Sequence, residues 1–251
     1  MNKAVSVTAA QAIAETPTRE EQPKGMAGLF KSTMVVIRKD LRLEWRGRAR
    51  INATVFFALL TLLIFSFAIG PNHKMLAVTA PGFMWLGIML ASTLSLSESM
   101  RIERENAALE GLRLLGLNPR ALFYGKTLVN TLLLISLSLV MVPIAMALYG
   151  SELTLGFWPL LVVLTLGCMA ISAPGTLYAA MASHAKSRDV LLPLLLFPVL
   201  VPGLLAAVKA TALVMQGDPM GQLVDWSKLL GAFVIIYWIL GGVVFGRVIE
   251  E

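Results

Sequence analysis

The side chains able to do chemistry in this chain are few and badly placed for it. There are two histidines, His73 and His184, and one cysteine, Cys168. His73 precedes one long apolar run and His184 follows another on the opposite face of a membrane, so the two cannot share one metal ion. Cys168 sits inside an apolar run, where a buried free thiol is expected and no disulfide framework can form. Gly111 and Gly116 have the glycine spacing of a phosphate-cradling loop, but Leu117-Asn118 stands where Lys-Ser/Thr is required. The interiors of the apolar runs hold no Asp, Glu, Lys, Arg or His, the groups that bind a coupling proton or sodium ion. An intramembrane nucleophile and base at matching depth are missing too. The chain is therefore expected to have no catalytic residue, no bound cofactor and no metal of its own. It either moves nothing or is driven by a partner.

The elements that surround these residues belong to a membrane. Of 251 residues 57% are apolar and only 14% charged, with a mean hydropathy of +0.76. A soluble domain runs nearer a quarter charged. Six apolar stretches follow one another at roughly Ile51–Gly70, Leu76–Ser97, Thr127–Tyr149, Phe157–Ser183, Val190–Val208 and Leu229–Gly246. Each is long enough to span a hydrocarbon core about 30 Å thick. They are apolar on every face, which excludes the alternating strands of a barrel. Fifteen Lys and Arg fall in the flanks and loops of one side and three on the other. By the positive-inside rule both termini are cytoplasmic, and the net charge of +6 orients the chain rather than binding nucleic acid.

Residues 1–26 are polar and low in complexity and read as a disordered cytoplasmic tail, without the apolar core of a secretory signal. Residues 27–48 read as an amphipathic helix. Phe30, Met34, Ile37, Leu41 and Trp45 recur on one face, with Lys31, Arg38, Lys39, Arg42 and Arg46 around it. Such a helix lies in the membrane interface, apolar side to the acyl boundary and basic side to anionic headgroups.

Proline interrupts the spans at Pro81, Pro143, Pro174 and, three times in the fifth, at Pro193, Pro198 and Pro202, which predicts a bent or broken fifth helix. Gly242 and Gly246 have the spacing that lets two helix backbones approach, either at a seam between copies or inside the bundle. Trp85, Trp158, Trp226 and Trp238 are expected near span ends, in the aromatic belt.

The loop between the second and third spans, residues 98–126, is the longest internal one. Ile102, Leu109, Leu112 and Leu115 can form an apolar stripe, and Arg101, Glu103, Arg104, Glu105, Glu110 and Arg113 fill the other positions. Ser99 is a candidate cap for its start, and Gly116 with Asn118-Pro119 ends it. A helix of this kind docks its stripe in a groove on another protein while its charges fix the register.

Several segments resemble a known superfamily. Glu103-Arg104-Glu105, Leu109-Glu110-Gly111-Leu112, Leu115, Pro119 and Tyr124-Gly125-Lys126 are similar to the cytoplasmic loop of exporter-type ABC permeases. Within that superfamily, Ala80-Pro81-Gly82-Phe83-Met84-Trp85 and the opening Ile37-Arg38-Lys39-Asp40-Leu41-Arg42-Leu43-Glu44 resemble the cytochrome c maturation permeases of the haem exporter protein B (CcmB) family. The resemblance covers roughly residues 30–250; Asn106-Ala107-Ala108 departs from the Gly-Thr turn of many relatives, and residues 1–26 have no counterpart.

The resemblance implies an all-α membrane protein: six transmembrane helices, an N-terminal interfacial helix and a cytoplasmic coupling helix, in the bacterial inner membrane. It implies that a P-loop ATPase subunit binds the ATP and receives the coupling helix through Glu103, Arg104, Glu105, Leu109, Glu110, Leu112 and Leu115. Pro81, Gly82 and Trp85 are the family motif of the second span. A tryptophan-rich haem-handling membrane protein and, indirectly, a periplasmic haem chaperone are the further partners implied, with a homodimer of this chain. ATP hydrolysis would drive haem delivery or release of the haem-loaded chaperone. Haem is then handled by the complex and not bound by this chain, and its 13 methionines are core or lipid-facing residues. The competing expectations are an exporter of a drug, lipid or polysaccharide, and a membrane scaffold that transports nothing.

Overall fold

In hydrocarbon each backbone N–H and C=O must be satisfied within the segment itself, so long apolar runs fold as helices. The computed structural model describes residues 26–105, 118–183 and 188–250, and these form seven helices. They are α1 Met26–Arg46, α2 Arg48–Ile69, α3 His73–Glu105, α4 Pro119–Tyr149, α5 Phe157–Ser183, α6 Arg188–Gln216 and α7 Leu223–Glu250. The last six are long and apolar enough to cross a membrane. Among the described residues there are no strands.

The helices are longer than their apolar cores. Nothing between Ser97 and Glu105 breaks a helix, and Glu98 pairs with Arg101 one turn later, so α3 runs on to Glu105. Ser99 therefore lies within α3 and caps nothing. Asn118 instead caps the next helix, its side chain accepting from the Arg120 N–H at 2.9 Å with Pro119 in the first turn. The helix of the third span thus starts at Pro119 rather than Thr127, and Lys126 lies within it. The fifth span is not broken: α6 continues through Pro193, Pro198 and Pro202 to Gln216. It also takes in Lys209, which is exposed and long enough to carry its ammonium toward the helix end.

The bundle is built around α5. Of its most apolar window 72% is buried, against 22% for α2, so α5 is the centre and α2 the rim. α5 packs on α3, α4, α6 and α7, while α1 packs mainly on α4. A polar seam joins α4 to α5: Asn130 Nδ2 donates to Thr176 Oγ1 at 3.0 Å, and Thr131 and Ser172 share a bond of 2.6 Å. Farther along, Cys168 Sγ contacts Ser138 Oγ at 3.9 Å as a free buried thiol. Bonds of this type stabilise helix association in a membrane by about 0.6 kcal/mol each.

Two expectations about aromatic and glycine positions are settled by packing. Trp85 is fully buried, not in a belt, and its Nε1 donates to Thr211 Oγ1 of α6 at 2.9 Å. Its ring lies on Gly167, where a Cβ would stand 2.1 Å from the indole. Trp238 also turns inward, donating to Met169 O at 3.3 Å and stacking on Tyr124. Trp226 is partly buried against the core, and Trp158 is 75% exposed in the first turn of α5. Gly242 and Gly246 face α4: Cβ atoms there would stand 2.2 Å from Tyr124 Oη and 3.7 Å from Pro119. The glycine pair serves a contact inside the bundle.

Gly82, next to Pro81, has only Val208 at 4.0 Å. Gly82→Ala is accordingly expected to leave the thermal unfolding of the detergent-solubilised protein unchanged, whereas Gly167→Ala costs about 1–3 kcal/mol by overpacking against Trp85. Equal loss in both would show that Trp85 is not held by Gly167.

Candidate functional site

A charged group buried in a membrane protein must be paired, so each one marks a contact that the fold requires. Three helices bring three such residues together with a fourth charge, Lys39, at their edge. α1 supplies Lys39 and Asp40, the last turn of α3 supplies Glu103, and the second turn of α4 supplies Lys126. Lys126 and Glu103 are each 2% exposed and Asp40 is 7%. Lys126 Nζ lies 3.2 Å from Asp40 Oδ2 and 3.0 Å from Glu103 Oε1. Lys39, partly exposed, closes the ring with Asp40 Oδ1 at 3.2 Å and with Glu103. Two cations and two anions leave the quartet neutral.

Helix periodicity explains how α1 offers these groups. Thr33, Val36, Asp40 and Glu44 recur at spacings of three and four and are buried against the bundle. Phe30, Met34 and Leu41 are exposed on a second face, and Ile37 is half-buried at its margin. The predicted apolar stripe thus faces outward, and it is the polar face that packs inside. Trp45 belongs to the same stripe in sequence, but its side chain lies outside the described residues. Lys31, Arg38 and Arg42 are exposed on a third face. Val36 lies close on Gly125, where a Cβ would stand 2.6 Å away. In the Gly125-Lys126 pair the glycine admits α1 and the lysine binds it.

The electrostatics agree with the geometry. Burial works against the charge of Glu103, but Lys126 and the hydrogen bond from Lys39 outweigh it and hold the carboxyl below the usual range. Burial likewise opposes the charge of Lys39, and its hydrogen bond with Glu103 and the attraction of Asp40 raise its pKa nonetheless. Glu103 Oε2 and the neighbouring Thr127 Oγ1 are buried without a hydrogen-bond partner among the described residues.

This placement corrects one sequence expectation. Glu103 was expected on an exposed docking face, but its carboxylate points into the bundle as the counterion of Lys126. The side chains of Arg104 and Glu105, and all of Leu109, Glu110, Leu112 and Leu115, lie outside the described residues, as does His184. His73 is exposed at the start of α3. Pro81 and Trp85 lie buried in α3 and Gly82 is partly buried there, remote in sequence from the quartet. Among the described residues no group of three or more His, Cys, Asp or Glu could hold a metal ion. Lys39, Lys126 and Asp40 were missed as site residues, the last despite a legible signal. The signal was an acidic pair, Asp40 and Glu44, one turn apart within a basic helix and away from its apolar stripe.

If the quartet carries the packing of α1, then Lys126→Met should cost about 3–5 kcal/mol by stranding two carboxylates with one lysine. Glu103→Leu added to Lys126→Met should recover most of that loss, because neutrality returns. Thermal unfolding of the single and double variants measures it; a Lys126→Met protein as stable as Arg120→Gln would remove the quartet from this role. The pH profile carries the same sign information. Glu103, with its pKa depressed, stabilises above about 4.3 and loses this as pH falls through its folded value; Lys39, with its pKa raised, stabilises below about 10.4 and loses this as pH rises past it. A stability plateau between those limits is expected, and Glu103→Gln should lower the plateau and soften its acid edge.

Comparison with known proteins places these features in a family. The family model described as CcmB protein matches residues 31–250. Heme exporter protein B of Haemophilus influenzae is 30% identical over 201 residues, covering 80% of this chain and 89% of that protein. The protein of the same name from Pseudomonas aeruginosa is 29% identical over 202 residues, covering 80% and 90%. That of Rhodobacter capsulatus is 32% identical over 171 residues, covering 68% and 78%. With a buried ion quartet joining the opening of the matched region to both flanks of its longest loop, and six apolar helices behind it, the chain belongs to the CcmB family of multi-pass bacterial membrane proteins.

Proposed function

We propose that this chain is the non-catalytic membrane subunit of a haem exporter complex in cytochrome c maturation, driven by ATP hydrolysis in a partner. The family match and the relatives named Heme exporter protein B support the haem assignment. The observation that supports coupling is the position of the quartet. Glu103 and Lys126 bracket the connector 106–117, and both are locked to Asp40 and Lys39 of α1. A force applied to the connector would reach α1, α3 and α4 together, since no member can move without exposing an unpaired buried charge. The connector, with Leu109, Glu110, Leu112 and Leu115, is then the dock for a P-loop ATPase, and Arg104 and Glu105 form its near edge. This reading puts the basic end of the bundle, and both termini, in the cytoplasm.

The further partners follow the same reading: a tryptophan-rich haem-handling membrane protein beside this chain, and a periplasmic haem chaperone released when ATP is spent. The absence of paired histidines in the sequence favours the release step over passage of haem through this subunit.

Affinity purification of the full chain in mild detergent, with mass spectrometry of what accompanies it, tests the assignment. A P-loop ATPase together with a haem-handling protein is the expected outcome. An ATPase alone would move the chain to a general exporter, and neither would leave the coupling reading without support. In the same assay Leu109→Asp and Leu112→Asp should each reduce recovered ATPase about tenfold. The six spans should stay folded, so ATPase recovery at the unmodified level would show that the connector is not the dock.

A further inference from the structure

α6 is held to the bundle unequally along its length. Residues 203–216 are tied down on three sides. Trp85 of α3 donates its indole N–H to Thr211 Oγ1 at 2.9 Å, and Gln216 Nε2 donates to Val78 O at 3.4 Å. The turn before α5 straps the helix end: the Leu155 N–H donates to Val214 O at 3.1 Å and Thr154 Oγ1 to Met215 O at 2.6 Å. Gly203 lies against Phe233 of α7, where a Cβ would stand 3.0 Å from the ring. Residues 190–202 differ. Leu192, Leu196 and Leu200 alone are buried there, one row at a spacing of four, and Val190, Leu194, Val201 and Pro202 are exposed. Among the described residues, the hydrogen bonds between α6 and other elements all lie at Thr211 or beyond. Leu192 faces a small gap lined by Ser97 of α3 and by Ala179, Ala182 and Ser183 of α5. Pro193, Pro198 and Pro202 all fall in this first half, and each lacks the N–H that would bond the carbonyl four residues earlier.

We infer that α6 is a hinged arm: residues 190–202 swing away from α5 about Pro202-Gly203, while residues 203–216 stay anchored. The free half begins at the end of the bundle that carries the ion quartet, where α5 ends. The cost of separation decides which half moves. The last carbonyls of a helix have no donor within it, so parting the second half from its strap would orphan Val214 O and Met215 O. It would also break the buried bond from Trp85 to Thr211. Parting the first half transfers a row of three leucines from protein to acyl chains that are as apolar as they are, which costs little. The small side chains of Ala179, Ala182 and Ser183 opposite Leu192 give that row little to lock into. Proline and glycine are where helices bend, and Pro202-Gly203 stands at the border between the loose half and the anchored one. The hinge does not depend on the transport reading, since it uses neither the connector nor an ATPase.

Double electron–electron resonance on the full chain, in lipid nanodiscs holding one chain each, tests it, with Cys168→Ser removing the native thiol. Spin labels on Leu194→Cys and Phe56→Cys report the arm, and labels on Leu205→Cys and Phe56→Cys report the anchor; all three positions are exposed. The shared label on α2 makes any motion of that helix common to both pairs. The Leu194 pair should give a distance distribution about twice as wide as the Leu205 pair, since the arm populates more than one position. Pro198→Ala/Pro202→Ala returns two backbone donors and favours the helix, so the variant should fold. It should narrow the Leu194 distribution to the width of the other and leave the Leu205 distribution as it was. Equal widths for the two pairs before the prolines are changed would overturn the swinging half. A Leu194 width unmoved by the proline variant would overturn the hinge at Pro202-Gly203.

Discussion

Lys126 is a buried lysine, lodged between two carboxylates that come from different parts of the chain. Its ammonium can stay there only while Asp40 and Glu103 both face it, because an unpaired charge at such a place costs several kcal/mol. That single requirement fixes three things together: the polar face of α1 turns inward, α3 extends beyond its apolar core to deliver Glu103, and α4 starts early enough to hold Lys126 in its second turn. Gly125 completes the arrangement by letting Val36 approach where any side chain would keep α1 away.

The rest of the bundle is held by weaker and more distributed contacts. The seam from Asn130 to Ser138 binds α4 to α5 with hydrogen bonds of modest strength, and Trp85 pins α3 to α5 and α6 through a glycine surface and one indole bond to Thr211. Association in lipid gains nothing from excluding water, so small residues and close packing replace the hydrophobic drive of a soluble core. The glycines at 167, 241 and 242 each lie under an aromatic ring or its hydroxyl for that reason.

The ion cluster also ties together the helix ends on either side of residues 106–117. The connector 106–117 leaves α3 and enters α4 at points that share one ion cluster with α1. By contrast α2 is little buried, at the rim of the bundle. At the elbow α1 and α2 touch little, and a groove opens there in front of α4.

The membrane class, the six spans and the apolar stripe of α1 were legible in the sequence, since each depends on local composition and period: about 20 apolar residues need no partner to declare a span. The same local cues misjudged helix ends. Hydropathy stops at Ser97 and resumes at Thr127, but a helix continues until capping or a breaker ends it, so α3 and α4 absorbed part of the predicted loop. Whether Glu103 docks a partner or pairs within the chain could not be read from its own neighbourhood, because its partners are 64 and 23 residues away on other helices. Trp85 reads as a belt residue until Gly167, on another helix, is seen to make room for it, and Gly242 reads as a seam until Tyr124 is seen to occupy it. Period and composition are properties of one segment, whereas the pairing of a buried charge and the filling of a space left by glycine are properties of two. Those, only the tertiary structure decided.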